Sequence, residues 1–188
     1  MYNIPLILTL LRISVIPIFA VFFFLPYHWA HPIATVIFVL AAITDWLDGY
    51  LARSLKQTTD FGAFLDPVAD KLLVAFALVI IVGEHYFPGL SIPAAIIVMR
   101  EIAISSLREW MAEIGKRASV AVSFVAKVKT TLQMVSLILL IWYTPKTSGA
   151  WVIWLGAILL YAAAALTLWT MIHYLKIAWP DLTLSRER

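Results

Sequence analysis

The stretch Asp45-Trp46-Leu47-Asp48-Gly49-Tyr50-Leu51-Ala52-Arg53, followed eight residues later by Gly62-Ala63-Phe64-Leu65-Asp66-Pro67-Val68-Ala69-Asp70, sets four carboxylates among apolar and small residues. Asp45 and Asp48 are spaced i,i+3, and Gly62, Asp66 and Asp70 are spaced i,i+4, so on regular helices each set forms a stripe. Pro67 fits best in the first turn of a helix, which places the start of the second helix close by. Two helices joined by a short loop then bring four anions together. Four carboxylates at such spacing stay ionised only beside compensating cations, and hard oxygen ligands without His or Cys suit Mg²⁺, Mn²⁺ or Ca²⁺. Two divalent ions would neutralise them. Gly49, Ala52 and Gly62 leave room for a ligand to approach the backbone, although small residues also favour plain close packing of membrane helices.

Outward from this stretch the chain is strongly apolar. Of 188 residues, 63% are hydrophobic and 13% charged, far from the balance of a soluble domain, and the composition predicts an integral membrane protein. Apolar runs long enough for about 30 Å of hydrocarbon at ~1.5 Å per residue fall near residues 5–25, 32–53, 62–83, 91–112, 120–142 and 150–173. This predicts an all-α, polytopic fold of six transmembrane helices. Turn-forming residues separate the runs: Pro26 to Pro32, Gly83 to Pro93, Gly115 to Ser119, and Thr144 to Gly149. The apolar run beginning before Arg12 continues past it without a basic leader or small-residue cleavage site, so the first helix is expected to be permanent. With no repeat or polar linker, residues 1–188 are expected to form one membrane domain.

Arg53, Lys56, Lys116 and Arg117 lie in the second and fourth loops, and Lys176, Arg186 and Arg188 follow the last span, whereas the odd-numbered loops contain only Lys146. The positive-inside rule therefore puts both termini and the aspartate loop in the cytoplasm. Trp29, Trp142, Trp151 and Trp154 gather at the opposite ends of their spans, as interfacial anchors do, and that far side reads as structural. Intramembrane charges mark functional sites or structural ion pairs. Here they crowd the inner half: Arg12, Arg108, Glu109, Lys127 and Lys129, with Arg100 and Glu101 deeper. A cavity open to one side fits this pattern better than a transmembrane relay. The absence of cysteine excludes thiolate catalysis, and a net charge of +3, dispersed along the chain, gives no footprint for nucleic acid. His28, His31 and His85, assigned to outer loops, and His173 are too scattered for a metal site.

The aspartate stretch resembles the signature D-x₂-D-G-x₂-A-R-x₈-G-x₃-D-x₃-D of the CDP-alcohol phosphatidyltransferases, with every fixed position filled. That resemblance implies a bacterial inner-membrane enzyme with its active site facing the cytoplasm, a Mg²⁺ or Mn²⁺ pair, and a homodimer. It implies metal ligation by Asp45, Asp48, Asp66 and Asp70, with Asp70 also the general base. Asp48, Gly49, Ala52, Arg53 and Gly62 would line the CDP pocket. The segments Asn3–Arg12, Arg100–Glu109 and Lys127–Thr130 resemble members that join CDP-diacylglycerol to sn-glycerol 3-phosphate and release CMP. Inositol phosphate and serine enzymes share the aspartate motif and are the alternatives. The acceptor phosphate needs cations: Arg108 and Lys127 first, then Arg100, Lys129 and Arg12. Against these roles, Arg100 with Glu101 and Arg108 with Glu109 also suit structural pairs, and the lysines also suit snorkelling to the interface. Two rivals are an intramembrane prenyltransferase, which needs more helices and widely separated aspartate motifs, and a divalent-cation carrier, which needs carboxylates near the midplane with exits on both sides.

Overall fold

The computed structural model describes the backbone of residues 4–55, 60–113, 124–145 and 148–184; within the helices, the side chains of 4–6, 8, 45–55, 60–64, 66, 67, 70, 108, 112, 113, 124, 126 and 177–184 lie outside the described residues. Among the described residues there are six α-helices and no strand: α1 (Ile4–Phe24), α2 (Ala30–Leu55), α3 (Asp60–Gly83), α4 (Ser91–Glu113), α5 (Phe124–Trp142) and α6 (Ala150–Leu184). Where described, the expected apolar runs are helical, except that Leu25 lies just past the end of α1. Residues 120–123 at the expected start of the fifth run lie outside the description. The sixth helix continues to Leu184, past the end expected at residue 173.

Ala150–Lys176 of α6 is long and apolar enough to cross a membrane. Shorter apolar helical segments run over Thr9–Phe24, Ala30–Thr44 and Lys71–Gly83.

The chain divides into two compact units, Met1–Tyr86 with Leu137–Trp154, and Phe87–Ser136 with Leu155–Arg188. In the first unit α1 packs on both α2 and α3. Phe19 of α1 meets Phe38 of α2 at 5.9 Å and Phe76 of α3 at 6.2 Å between ring centroids. Around this contact α1 buries Thr9, Arg12, Phe19 and Phe23, α2 buries Ala30, Ala34, Phe38 and Ala41, and α3 buries Ala69, Leu73 and Ala77. These are helical stripes with a high share of alanine, whose small side chain lets helix backbones approach closely. Opposite faces expose Val21, Phe24, Val36, Leu40 and Val79. His31 lies in the first turn of α2, not in a loop, and is buried. Its Nδ1–H donates to the carbonyl of Ile141 at 2.9 Å, satisfying one of the last carbonyls of α5, which have no partner within the helix.

In the second unit α4 buries Ala94, Ile97, Arg100, Ile104 and Met111, α5 buries Lys129, Gln133 and Ser136, and α6 buries Ala157, Leu160, Ala163, Ala164 and Thr167. Ser136 donates to the carbonyl of Gly156 at 2.7 Å, and Tyr161 donates to the carbonyl of Gly89 at 2.9 Å. Gly89 has φ +92°, a conformation open to glycine, and a Cβ there would meet the Tyr161 hydroxyl at 3.0 Å.

Candidate active site

The aspartates occupy the register positions that continue the core of the first unit. Asp45 follows buried Phe38 by seven residues and Asp48 follows buried Ala41 by seven; on α3, Asp66 precedes buried Leu73 by seven and Asp70 precedes buried Ala77 by seven. Seven residues turn a helix through roughly 700°, about 20° short of two full turns, and advance it about 10.5 Å. All four positions therefore share the faces on which α2 and α3 bury their cores. The stripe turns from apolar to acidic as it leaves the Phe19–Phe38–Phe76 contact. The aspartate side chains, with Gly49, Ala52, Arg53 and Gly62, lie outside the described residues.

Arg12 belongs to the same construction. It precedes Phe19 by seven residues on the buried face of α1 and is itself 1% exposed. Because Phe19 touches Phe38, Arg12 and Asp45 stand at matching depth on adjacent helices, each about 10.5 Å beyond the ring contact. A guanidinium is tolerated in such a position only with anionic or hydrogen-bonding partners. The sequence singled out Arg12; its burial among core residues became visible only in the packed helices.

The basic residues of α4 and α5 divide into different environments. Arg100 donates from Nη1 to Glu101 Oε1 at 2.7 Å, and Lys129 donates from Nζ to the same oxygen at 3.0 Å. The two cationic side chains are 8% and 4% exposed, and Glu101 30%. The expected neighbouring pair Arg100–Glu101 is thus present and extended by Lys129 from 28 residues away. Arg100 and Lys129 thus share one carboxylate oxygen, and Arg100 Nε is buried without a hydrogen-bond partner among the described residues. Lys127 is exposed, the environment expected of a lysine that reaches for an interface or a soluble anion. The Arg108 side chain lies outside the described residues. Among the described residues no group of three or more His, Asp or Glu stands close enough to hold a metal.

The donor chemistry of the aspartate stripe fits a hard divalent cation: four carboxylates in one register, with neither thiolate nor imidazole in that segment.

Residues 2–169 match the family model described as CDP-alcohol phosphatidyltransferase. Proteins named CDP-diacylglycerol--glycerol-3-phosphate 3-phosphatidyltransferase are similar over nearly the whole length. That of Yersinia pestis (strain Pestoides F) is 57% identical over 181 residues, 96% of this chain and 97% of the relative. That of Yersinia enterocolitica is 55% identical over 180 residues with the same coverage, and that of Salmonella typhimurium 54% over 181 residues, again 96% and 97%. The chain belongs to the CDP-alcohol phosphatidyltransferase family.

Proposed function

We propose that this protein transfers the phosphatidyl group of CDP-diacylglycerol to sn-glycerol 3-phosphate, giving phosphatidylglycerophosphate and CMP in phospholipid biosynthesis. The acceptor is carried by one observation: 54–57% identity across 96% of the chain to enzymes named for that reaction. The chemistry is supported by the register that continues the cores of α2 and α3 into Asp45, Asp48, Asp66 and Asp70.

In this reading residues 1–188 act as one domain of six membrane spans, with both termini and the aspartate stripe on the cytoplasmic side of a bacterial inner membrane, and the enzyme works as a homodimer. Asp45, Asp48, Asp66 and Asp70 would hold two divalent ions, Mg²⁺ or Mn²⁺. When bound, these neutralise the pyrophosphate and make CMP a better leaving group. Asp48, Gly49, Ala52, Arg53 and Gly62 seat the CDP moiety. Asp70 accepts the proton of the acceptor's primary hydroxyl as that oxygen forms a bond to the lipid-bearing phosphorus. The bond from this phosphorus to the CMP oxygen breaks in line, and no enzyme-bound covalent intermediate is needed.

Arg108 and Lys127 bind the acceptor's phosphate dianion, supported by Arg100, Lys129 and Arg12. Arginine contributes a planar fork and lysine a compact charge. The buried Nε of Arg100, which has no hydrogen-bond partner among the described residues, supports an anion at this level of α4.

The test is CMP release by purified protein with CDP-diacylglycerol and Mg²⁺, each acceptor offered separately. Turnover with sn-glycerol 3-phosphate alone is expected. Turnover with inositol phosphate or serine instead would reassign the acceptor, and metal flux into liposomes without CMP release would favour a cation carrier.

A further inference from the structure

At the end of the first unit opposite the aspartates, a cavity of about 630 Å³ opens between the end of α1, the start of α2, the segment after α3 and the segment after α5. His31 is 14 residues from Asp45 along α2, so about 21 Å of helix separates this cavity from the aspartate register. The volume falls in the range of small-molecule sites, and the wall combines apolar surface with a comparable share of polar surface. Glu84 supplies a carboxylate, Tyr27 and Tyr86 supply aromatic rings, and His31 forms part of the wall. His31 spends its Nδ1 proton on the Ile141 carbonyl, so a singly protonated ring keeps Nε2 as an acceptor. Glu84 already accepts the Tyr86 hydroxyl, which fixes that carboxylate at the wall. Acceptors, one negative charge and ring faces are the complement of an ammonium group: the acceptors take its N–H donors and the rings its charge.

The surroundings identify the source of that ammonium. Tyr27 stacks on Trp29 at 5.2 Å and 5°, both rings exposed, as at a bilayer interface where aromatic side chains meet headgroups. From the rim, exposed Phe24 and Val21 continue along α1, and Ile33 and Val36 along α2, an apolar track suited to acyl chains. We infer that this cavity is a headgroup site for a glycerophospholipid bearing a primary ammonium, held by Glu84, His31 and the Tyr27 and Tyr86 rings on the side of the membrane away from catalysis. The inference rests on the six-span topology proposed above, which sets this end of α1–α3 at an interface.

Native mass spectrometry of the full chain in detergent tests it, with phosphatidylethanolamine and its N-acetyl derivative of matched chains as probes. Wild type is expected to retain the amine lipid about tenfold better, as one desolvated ammonium contact allows. E84Q is expected to lose that preference while CMP release stays unchanged. Free phosphoethanolamine at equal concentration should not compete, since it lacks the chains that the apolar track holds. Equal retention of both lipids by wild type, an undiminished preference in E84Q, or full competition by phosphoethanolamine would each overturn the inference while leaving the transferase reading intact. Retention of neither lipid would overturn it together with the topology. If E84Q fails to fold, as CMP release will report, the two-lipid comparison on wild type decides alone.

Discussion

Replacing Glu101 by Gln removes the only charge that Arg100 and Lys129 share in the described contacts, while keeping the shape of the side chain. Stripping one partner from a buried ion pair costs about 3–5 kcal/mol because the other charge is left uncompensated. Two features reduce that figure here: Glu101 is 30% exposed, so water screens part of the loss, and the glutamine oxygen still accepts one hydrogen bond. Roughly 2 kcal/mol remains. For a chain of this size each kcal/mol shifts the midpoint by ~2–4 °C, so E101Q should unfold about 4–8 °C below wild type. The assay is thermal unfolding in one detergent at a fixed scan rate. The double variant E101Q/K129M carries one buried cation fewer and should recover part of the loss, a non-additivity expected of residues in one network. A midpoint for E101Q within about 1 °C of wild type, or a double variant less stable than E101Q, would refute the claim that the carboxylate offsets both cations.

Three further outcomes are expected. R108A should raise the glycerol 3-phosphate concentration needed for half-maximal CMP release by about tenfold or more, the worth of one charge-assisted hydrogen bond, with little change at saturation; an unchanged requirement would move the phosphate pocket elsewhere. Tyr86 has its pKa pushed up from 10.0 to about 12, first by burial and then by the hydrogen bond to Glu84 and its charge. A raised value means that the hydroxyl stabilises the fold fully below pH 10 and loses that contribution as pH rises through about 12. Y86F should therefore lack this alkaline component in unfolding measured between those limits, and identical alkaline profiles for the two proteins would contradict it. Last, G89A should unfold at a lower temperature than wild type, because position 89 combines φ +92° with a Tyr161 hydroxyl 3.0 Å from the added Cβ, and equal midpoints would contradict this.

Much of the architecture is local and was legible in the chain. Pro26, Gly83, Pro93 and Gly149 break the apolar runs close to where the helices end, and the i,i+3 and i,i+4 spacing of the aspartates anticipated their positions on α2 and α3. Contacts between distant segments were not legible. Glu101 beside Arg100 is visible as a neighbouring pair, but Lys129 joins it from another helix, and nothing in residues 127–129 distinguishes a buried lysine from an exposed one. His31 looked like a loop residue because Pro32 follows it; proline suits a helical first turn equally well, and the Ile141 carbonyl that holds the ring lies 110 residues away. Glu84 carries no signal in the sequence for the same reason, since its cavity is assembled from segments near residues 27, 84 and 144 that only the fold brings together.

The central claim is that the aspartate stripe performs phosphatidyl transfer with Asp70 moving the proton. Its most direct test is CMP release by D70N with CDP-diacylglycerol and glycerol 3-phosphate at saturation, measured beside CDP-diacylglycerol binding. The account predicts a fall of about 100-fold or more, the usual contribution of a general base, with much of the donor binding retained. Turnover close to wild type would contradict it, as would a loss of activity explained wholly by lost binding.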